Sequence, residues 1–144
     1  MAVQMELSRI LIRELNDYQI IELREMGDDG EDTGAGRSRS FPIVIGLAEA
    51  QAIERRLKGI APKRPGTHDL LGTVIETLGG ELQSITICDL SDHTFFATLD
   101  VRKESGELVK IDSRPSDAIA IGIFNSVPIY VEEHVLEAAT RDEE

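Results

Sequence analysis

Near the end of the chain, a charged, hydroxyl-rich segment leads directly into an almost wholly apolar one. Together they read Lys110-Ile111-Asp112-Ser113-Arg114-Pro115-Ser116-Asp117-Ala118-Ile119-Ala120-Ile121-Gly122-Ile123-Phe124. Pro115 has a fixed φ and no N–H, so it suits the first position of a helix and keeps Arg114 out of the helical region. We therefore predict a helix that begins at Pro115, with Arg114 as N-cap. Asp117 falls in its first turn, where a carboxylate meets free backbone N–H groups.

After Asp117 this helix has no polar face, which is typical of a helix that is buried on all sides. The alternation of Ile119, Ile121 and Ile123 would also suit a strand. We prefer the helix, because the preceding proline and acid are start signals. The polar junction before the helix is a natural place for chemistry and an equally natural place for a helix cap.

Composition places the chain among globular proteins. It has 144 residues, of which 41% are hydrophobic and 29% charged, enough for one domain with a core. We expect that domain to cover residues 1–133, followed by a fraying acidic tail over 134–144. The net charge of −12 argues against a nucleic-acid partner. Much of that charge lies in residues 28–32 and 132–144, however, which leaves the rest of the chain closer to neutral.

The chain carries no pattern typical of secretion or of membrane insertion. Residues 1–6 lack the basic and apolar regions of a signal peptide, and no run approaches the ~20 apolar residues of a membrane helix. The single Cys88 has no partner for a disulfide. We therefore expect a cytoplasmic protein with no membrane partner.

Hydrophobic periodicity and turn residues predict the elements along the chain. We expect a mobile acidic loop over 27–38 and a helix from His68 to about Leu78 with Thr67 as its N-cap. The remaining predicted helices cover 47–58, with Gly46 as cap, and the stretch from 115. Strands are predicted over 6–14, 18–25, 41–45, 81–89, 93–102, 108–112 and 127–131.

The two halves of the chain resemble each other. Residues 10–21 align with 85–96, each reading I-x-I-x-acid-L-polar-D followed by a ring-bearing residue and two bulky apolar residues. Residues 49–53 align in the same way with 117–121. This pattern predicts an internal repeat of a hairpin–strand–helix unit. Since neither unit can cover its own sheet alone, the fold class we predict is α+β, with a mostly antiparallel sheet wrapped on helices.

Three motifs resemble the bifunctional nuclease domain family in order and spacing. They are Phe41-Pro42-Ile43-Val44-Ile45-Gly46 with Glu49-Ala50, Arg64-Pro65 leading to Thr67-His68-Asp69-Leu70-Leu71, and Ile111-Asp112-Ser113-Arg114-Pro115-Ser116-Asp117-Ala118-Ile119. The resemblance covers roughly residues 8–133. It implies an α+β fold, a wedge-shaped homodimer with a groove, and DNase and RNase activity on DNA or RNA.

The chemistry of phosphodiester hydrolysis suggests which residues could form a site. A nuclease needs an activated nucleophile and donors for the developing charge, which His, Arg and carboxylate-bound Mg²⁺ or Mn²⁺ can supply. The candidate catalytic residues are His68, Asp69, Arg114 and Asp117. The candidate metal ligands are Asp69, Asp112 and Asp117. The candidate substrate-binding residues are Arg55, Arg56, Lys63, Arg64 and Ser116. We hypothesise that two helix N-termini converge to bring these groups together.

Each candidate also has a simpler interpretation. Glu49, Asp69 and Asp117 would serve as dipole or cap residues in first helical turns, and Arg114 would pair with a neighbouring acid. His68 would be a surface or capping residue, and the basic residues of 55–64 a solvated helix end. On that interpretation the protein is a non-catalytic dimeric binding or regulatory module, with a groove for an anionic ligand or a protein segment.

Overall fold

The computed structural model describes residues 1–13, 15–26 and 38–141, in which seven strands and four helices follow one another. The strands are β1 (Ala2–Leu11), β2 (Tyr18–Glu25), β3 (Ser40–Gly46), β4 (Glu81–Ser91), β5 (Thr94–Arg102), β6 (Leu108–Ser113) and β7 (Ile129–Glu132). The helices are α1 (Leu47–Leu57), α2 (Thr67–Thr77), α3 (Pro115–Phe124) and α4 (Glu133–Arg141). None of the helices in the described part of the chain is long and apolar enough to cross a lipid bilayer.

All seven strands belong to one sheet, in the order β3-β2-β1-β7-β4-β5-β6. Every neighbouring pair is antiparallel except β4 and β7, which run parallel. The strand β7 therefore lies between the three strands of the first half and the three strands of the second half. The predicted α+β class with a mostly antiparallel sheet is confirmed, and each half contributes two hairpin strands, a third strand and a helix.

The sheet curls around α3, as the apolar sequence of this helix predicts. Ile119 and Ile121 have no exposed surface, and a Cβ added at Gly122 would lie 3.3 Å from a methyl of Ile85 on β4. The glycine thus lets the helix approach the sheet closely. The curl brings Phe41 on β3 and Phe95 on β5 to a ring-centroid distance of 5.5 Å, although four strands separate them in the sheet.

The opposite face of the second half carries a buried carboxylate. Asp100 alternates along β5 with the core residues Leu99 and Val101, so its side chain projects to the other face. It accepts hydrogen bonds from three hydroxyls and from the Lys110 Nζ at 3.2 Å. Burial opposes ionisation, but these four donors outweigh it and hold the pKa of Asp100 below its usual value.

The start of α3 is as predicted, whereas the predicted start of α2 is wrong by one residue. Arg114 has extended φ and ψ of −71° and 147° and is the N-cap of α3. The N-cap of α2 is Gly66 rather than Thr67. Its backbone N–H donates to Asp69 Oδ2 at 2.9 Å, so the acid in the first turn replaces the hydroxyl cap.

Two further expectations need correction. The first strand spans Ala2–Leu11 rather than 6–14, because its first residues pair with β7, a partner far along the chain. Most of the expected tail instead forms α4, in which Val135 and Leu136 are fully buried. The sequence did not predict this helix because its short amphipathic pattern lies among acidic residues and Arg141. The predicted loop over 27–38 lies outside the described residues except for its last position.

Candidate functional site

A groove runs between α1 and α3, which lie side by side and point in the same direction. At their N-terminal ends, Arg114 Nη2 lies 3.2 Å from Glu49 Oε2. At their C-terminal ends, Arg56 Nη2 donates to the Phe124 carbonyl at 2.8 Å. Its guanidinium carbon also lies 4.0 Å from the centroid of the Phe124 ring. These two contacts fix the relative direction of the helices and define the two ends of the groove.

The first turn of α2 joins the N-terminal end of this groove. His68 Nε2 lies 2.9 Å from Asp117 Oδ1, and the His68 side chain is only 17% exposed. The first turns of α1, α2 and α3 therefore meet, with Glu49, His68 and Asp117 as their respective contributions. Sequence reasoning expected two helix starts to converge. It missed the third, although Glu49 occupies the repeat position that corresponds to Asp117.

Asp117 is the centre of a hydrogen-bonded chain. Its Oδ1 faces His68, while its Oδ2 accepts a hydrogen bond from Arg114 Nε at 2.9 Å. Burial opposes the charge, but the bonds from Arg114 and His68 outweigh burial and hold the pKa of Asp117 below its usual value. The hydrogen bond to Asp117 in turn raises the pKa of Arg114. The charged forms of both side chains are thus favoured at neutral pH.

The chain of contacts also determines the tautomer of His68 that fits. An ionised Asp117 accepts hydrogen bonds only, so the Nε2 of His68 carries the proton that it donates. The other ring nitrogen, Nδ1, makes no hydrogen bond within the described residues. In the neutral ring this nitrogen is a proton acceptor, and His68 lines the groove. This arrangement is suited to taking a proton from a bound hydroxyl or water molecule.

The groove has a volume of about 460 Å³ and two chemically different parts. One end carries Glu49, His68, Asp69, Arg114 and Asp117, and the other carries Arg55 and Arg56. The side chains between and around these charged groups are mostly small or apolar. They are Ala48, Ala52, Ile60, Pro62, Ala120 and Phe124.

Some predicted site residues lie elsewhere. Ser116 is buried and does not line the groove. Lys63 and Arg64 are exposed but are not part of the groove lining. Asp112 is exposed on β6 and pairs with Thr98 in the sheet, on the face opposite the helices. It therefore does not join Asp117, five residues away in sequence.

The three predicted metal ligands do not fit a shared Mg²⁺ or Mn²⁺ site. Asp112 is outside the groove, Asp69 Oδ2 accepts the Gly66 N–H, and both oxygens of Asp117 already have partners. Within the described residues, no group of three or more His, Cys, Asp or Glu side chains is placed to bind a metal.

The chain is similar in sequence to known proteins and to one family model. The family model described as bifunctional nuclease domain matches residues 32–144. Two Mycobacterium tuberculosis proteins, each named as uncharacterized, are 38% identical over 130 residues, which cover 90% of this chain and 71% of each relative. The Arabidopsis thaliana protein named Bifunctional nuclease 1 is 24% identical over 102 residues, covering 69% of this chain and 31% of that protein.

Proposed function

The chain belongs to the bifunctional nuclease domain family, and we propose that it is a nuclease that hydrolyses phosphodiester bonds of DNA or RNA in the groove between α1, α2 and α3. The observation that carries this proposal is the 2.9 Å contact between His68 Nε2 and Asp117 Oδ1. It joins the first turns of two helices through residues that are 49 positions apart in the sequence.

In the proposed reaction, His68 takes the proton from the attacking oxygen through Nδ1. Asp117 holds the imidazole in the required tautomer and stabilises the cation that forms, as a carboxylate does beside other catalytic histidines. Groups of this kind contribute about 10²–10⁴-fold to a rate. The proton can then be passed to the leaving oxygen as the phosphodiester bond breaks.

Arg114 is the residue that we propose binds the phosphate. Its Nε and Nη2 are directed to Asp117 and Glu49, which fix the guanidinium plane, while its side chain remains 67% exposed. The remaining N–H groups can donate to a non-bridging oxygen, where negative charge develops in the transition state. Glu49 then acts as a positioning residue, because it contacts Arg114.

A non-catalytic binding module is the second candidate function. It is favoured by the continuous series of contacts from Glu49 through Arg114 and Asp117 to His68. In this series each charged or polar side chain already has a hydrogen-bonding partner in the protein. In that case the contacts would hold three helices together and the groove would bind an anionic ligand without changing it. The two candidates differ in whether purified protein turns over a polynucleotide.

The deciding experiment is cleavage of supercoiled plasmid and of labelled RNA by highly purified protein, with Mg²⁺, with Mn²⁺ and with a chelator. His68→Ala should lower the rate by about 10²–10⁴-fold. The matched control is His134→Ala, since His134 is 64% exposed on α4 and lies outside the groove. Equal rates for the two variants would point to a contaminating nuclease, and no turnover under any condition would favour the binding module.

A further inference from the structure

The charged end of the groove cannot by itself attract a phosphate strongly. Three carboxylates, Glu49, Asp69 and Asp117, face one guanidinium, Arg114, at this end. Each of the three helix N-termini supplies roughly half a positive charge, which offsets most of this excess. The net charge at this end of the groove is therefore close to zero, and the chain as a whole carries a net charge of −12. Affinity for a polynucleotide has to come from another part of the groove.

The other end of the groove provides positive charge at a defined distance. Arg55 and Arg56 both line it, and seven residues separate Glu49 from Arg56 along α1, or about 10 Å at 1.5 Å per residue. Arg56 is held against Phe124 by its hydrogen bond and by the ring contact. Arg55 is exposed, and its side chain makes no ion pair or hydrogen bond within the described residues. Its guanidinium is thus available to a ligand in the groove.

The surface between these two ends suits a flat, weakly polar group. Ala52 on α1 and Ala120 on α3 both line this part of the groove with side chains of one methyl each, and Ile60 and Phe124 add apolar area. Small residues leave room, whereas an ionic group placed here would meet no polar partner. Planar nucleobases bind sequence-independently on apolar, aromatic and guanidinium surfaces of this kind.

We propose that the groove is a track for an unpaired strand. One phosphate lies at the His68–Arg114 end, a phosphate further along the strand lies at Arg55, and a base between them lies on the alanine floor. The inference rests on the proposed function and names its substrate class, single-stranded polynucleotide. In a duplex the bases are stacked and paired inside the helix, so no base can reach this floor.

This mode of binding also predicts that the affinity for a single strand depends only weakly on salt concentration. Binding to a single strand changes with the logarithm of salt concentration with a slope of about −0.7 per neutralised phosphate. With Arg55 and Arg114 as the two phosphate contacts, the slope should be roughly −1.4. Removing Arg55 should lower its magnitude by about half.

The test measures binding of a short fluorescein-labelled oligothymidylate and of the same strand annealed to its complement. Both are titrated with the His68→Ala protein, which should leave the strand intact. Arg55→Ala in this background should weaken single-strand binding by about tenfold, as expected for the loss of one charge-assisted hydrogen bond. The matched control is Arg64→Ala, which removes the same charge at an exposed position outside the groove lining and should change binding by less than about twofold.

Two results would overturn the track. One is equal weakening by Arg55→Ala and Arg64→Ala, and the other is duplex binding as tight as single-strand binding. These outcomes can be distinguished from a failure of the proposed nuclease function. Tight binding of the single strand without turnover of any polynucleotide would retain the track and reject the nuclease. Turnover of duplex and single strand at equal rates, unaffected by Arg55→Ala, would retain the nuclease and reject the track.

Discussion

Replacement of Asp117 by Asn tests the chemistry of the groove with the smallest change in shape. The amide has the size of the carboxylate but no charge, and it offers one oxygen acceptor where Asp117 has two. Either His68 or Arg114 must therefore lose its acceptor. If Asp117 orients and stabilises a catalytic imidazole, the rate of phosphodiester cleavage should fall by about 10²–10⁴-fold.

The effect of Asp117→Asn on stability should be much smaller than its effect on rate. Two hydrogen bonds of 2.9 Å change, but the Arg114 side chain is 67% exposed, so that pair contributes weakly. A loss of about 1–2 kcal/mol in the free energy of unfolding is expected at neutral pH. Because the folded state lowers the pKa of Asp117, the charged carboxylate stabilises the fold above its unfolded pKa of about 3.9. That contribution disappears as the pH falls through the lower, folded-state pKa.

The assay compares initial cleavage rates and urea unfolding curves for Asp117→Asn and Asp112→Asn. The control changes the same chemical group in the same motif, on the other face of the sheet and away from the groove. The difference in stability between wild type and Asp117→Asn should shrink between about pH 5 and the acid limit. Equal rates for the two variants would refute the catalytic role of Asp117, and a stability difference that grows on acidification would refute the electrostatic account.

Three further substitutions test the stability of the fold rather than the proposed chemistry. Arg56→Ala should lower the free energy of unfolding by about 1–2 kcal/mol in a urea titration, because it removes the bond to the Phe124 carbonyl and the contact with the ring. Arg55→Ala, with no such contacts, should leave the unfolding curve unchanged, and equal effects would contradict this distinction. Asp100→Asn should destabilise the protein by about 1–3 kcal/mol, since one amide cannot accept from all four donors. Because the pKa of Asp100 is lowered in the folded state, the loss should diminish below about pH 4, which unfolding at two pH values measures.

Local sequence signals were sufficient to predict those features of the structure that depend on residues within a single helix or strand. Pro115 predicted the first residue of α3, and the absence of a polar face after Asp117 predicted its burial. These features are determined by residues adjacent in sequence, so no knowledge of the sheet was needed.

Contacts between elements were predicted only in part. The meeting of His68 with Asp117 was a hypothesis from helix-start chemistry, and the structure brings the two together. The contacts of Arg114 with Glu49 and of Arg56 with Phe124 depend on α1 and α3 running in the same direction. That direction is determined by how the sheet curls, which no single segment encodes.

Two candidate site residues, Asp112 and Ser116, lie outside the groove for physical reasons. Asp112 shares a motif with Asp117, but side chains alternate along a strand, and the register with Thr98 puts Asp112 on the far face. This alternation was visible in the sequence and could have separated the two acids. Ser116 lies in the first turn of α3 but is buried and does not line the groove.

The central position of β7 has a consequence for how the protein is made. Its four residues complete hydrogen bonds with β1, near the beginning of the chain, and with β4, in its second half. During synthesis, both of these strands emerge from the ribosome long before β7 and present unpaired backbone edges until it arrives. A nascent chain stalled before Ile129 should therefore be the form most exposed to aggregation and to proteolysis.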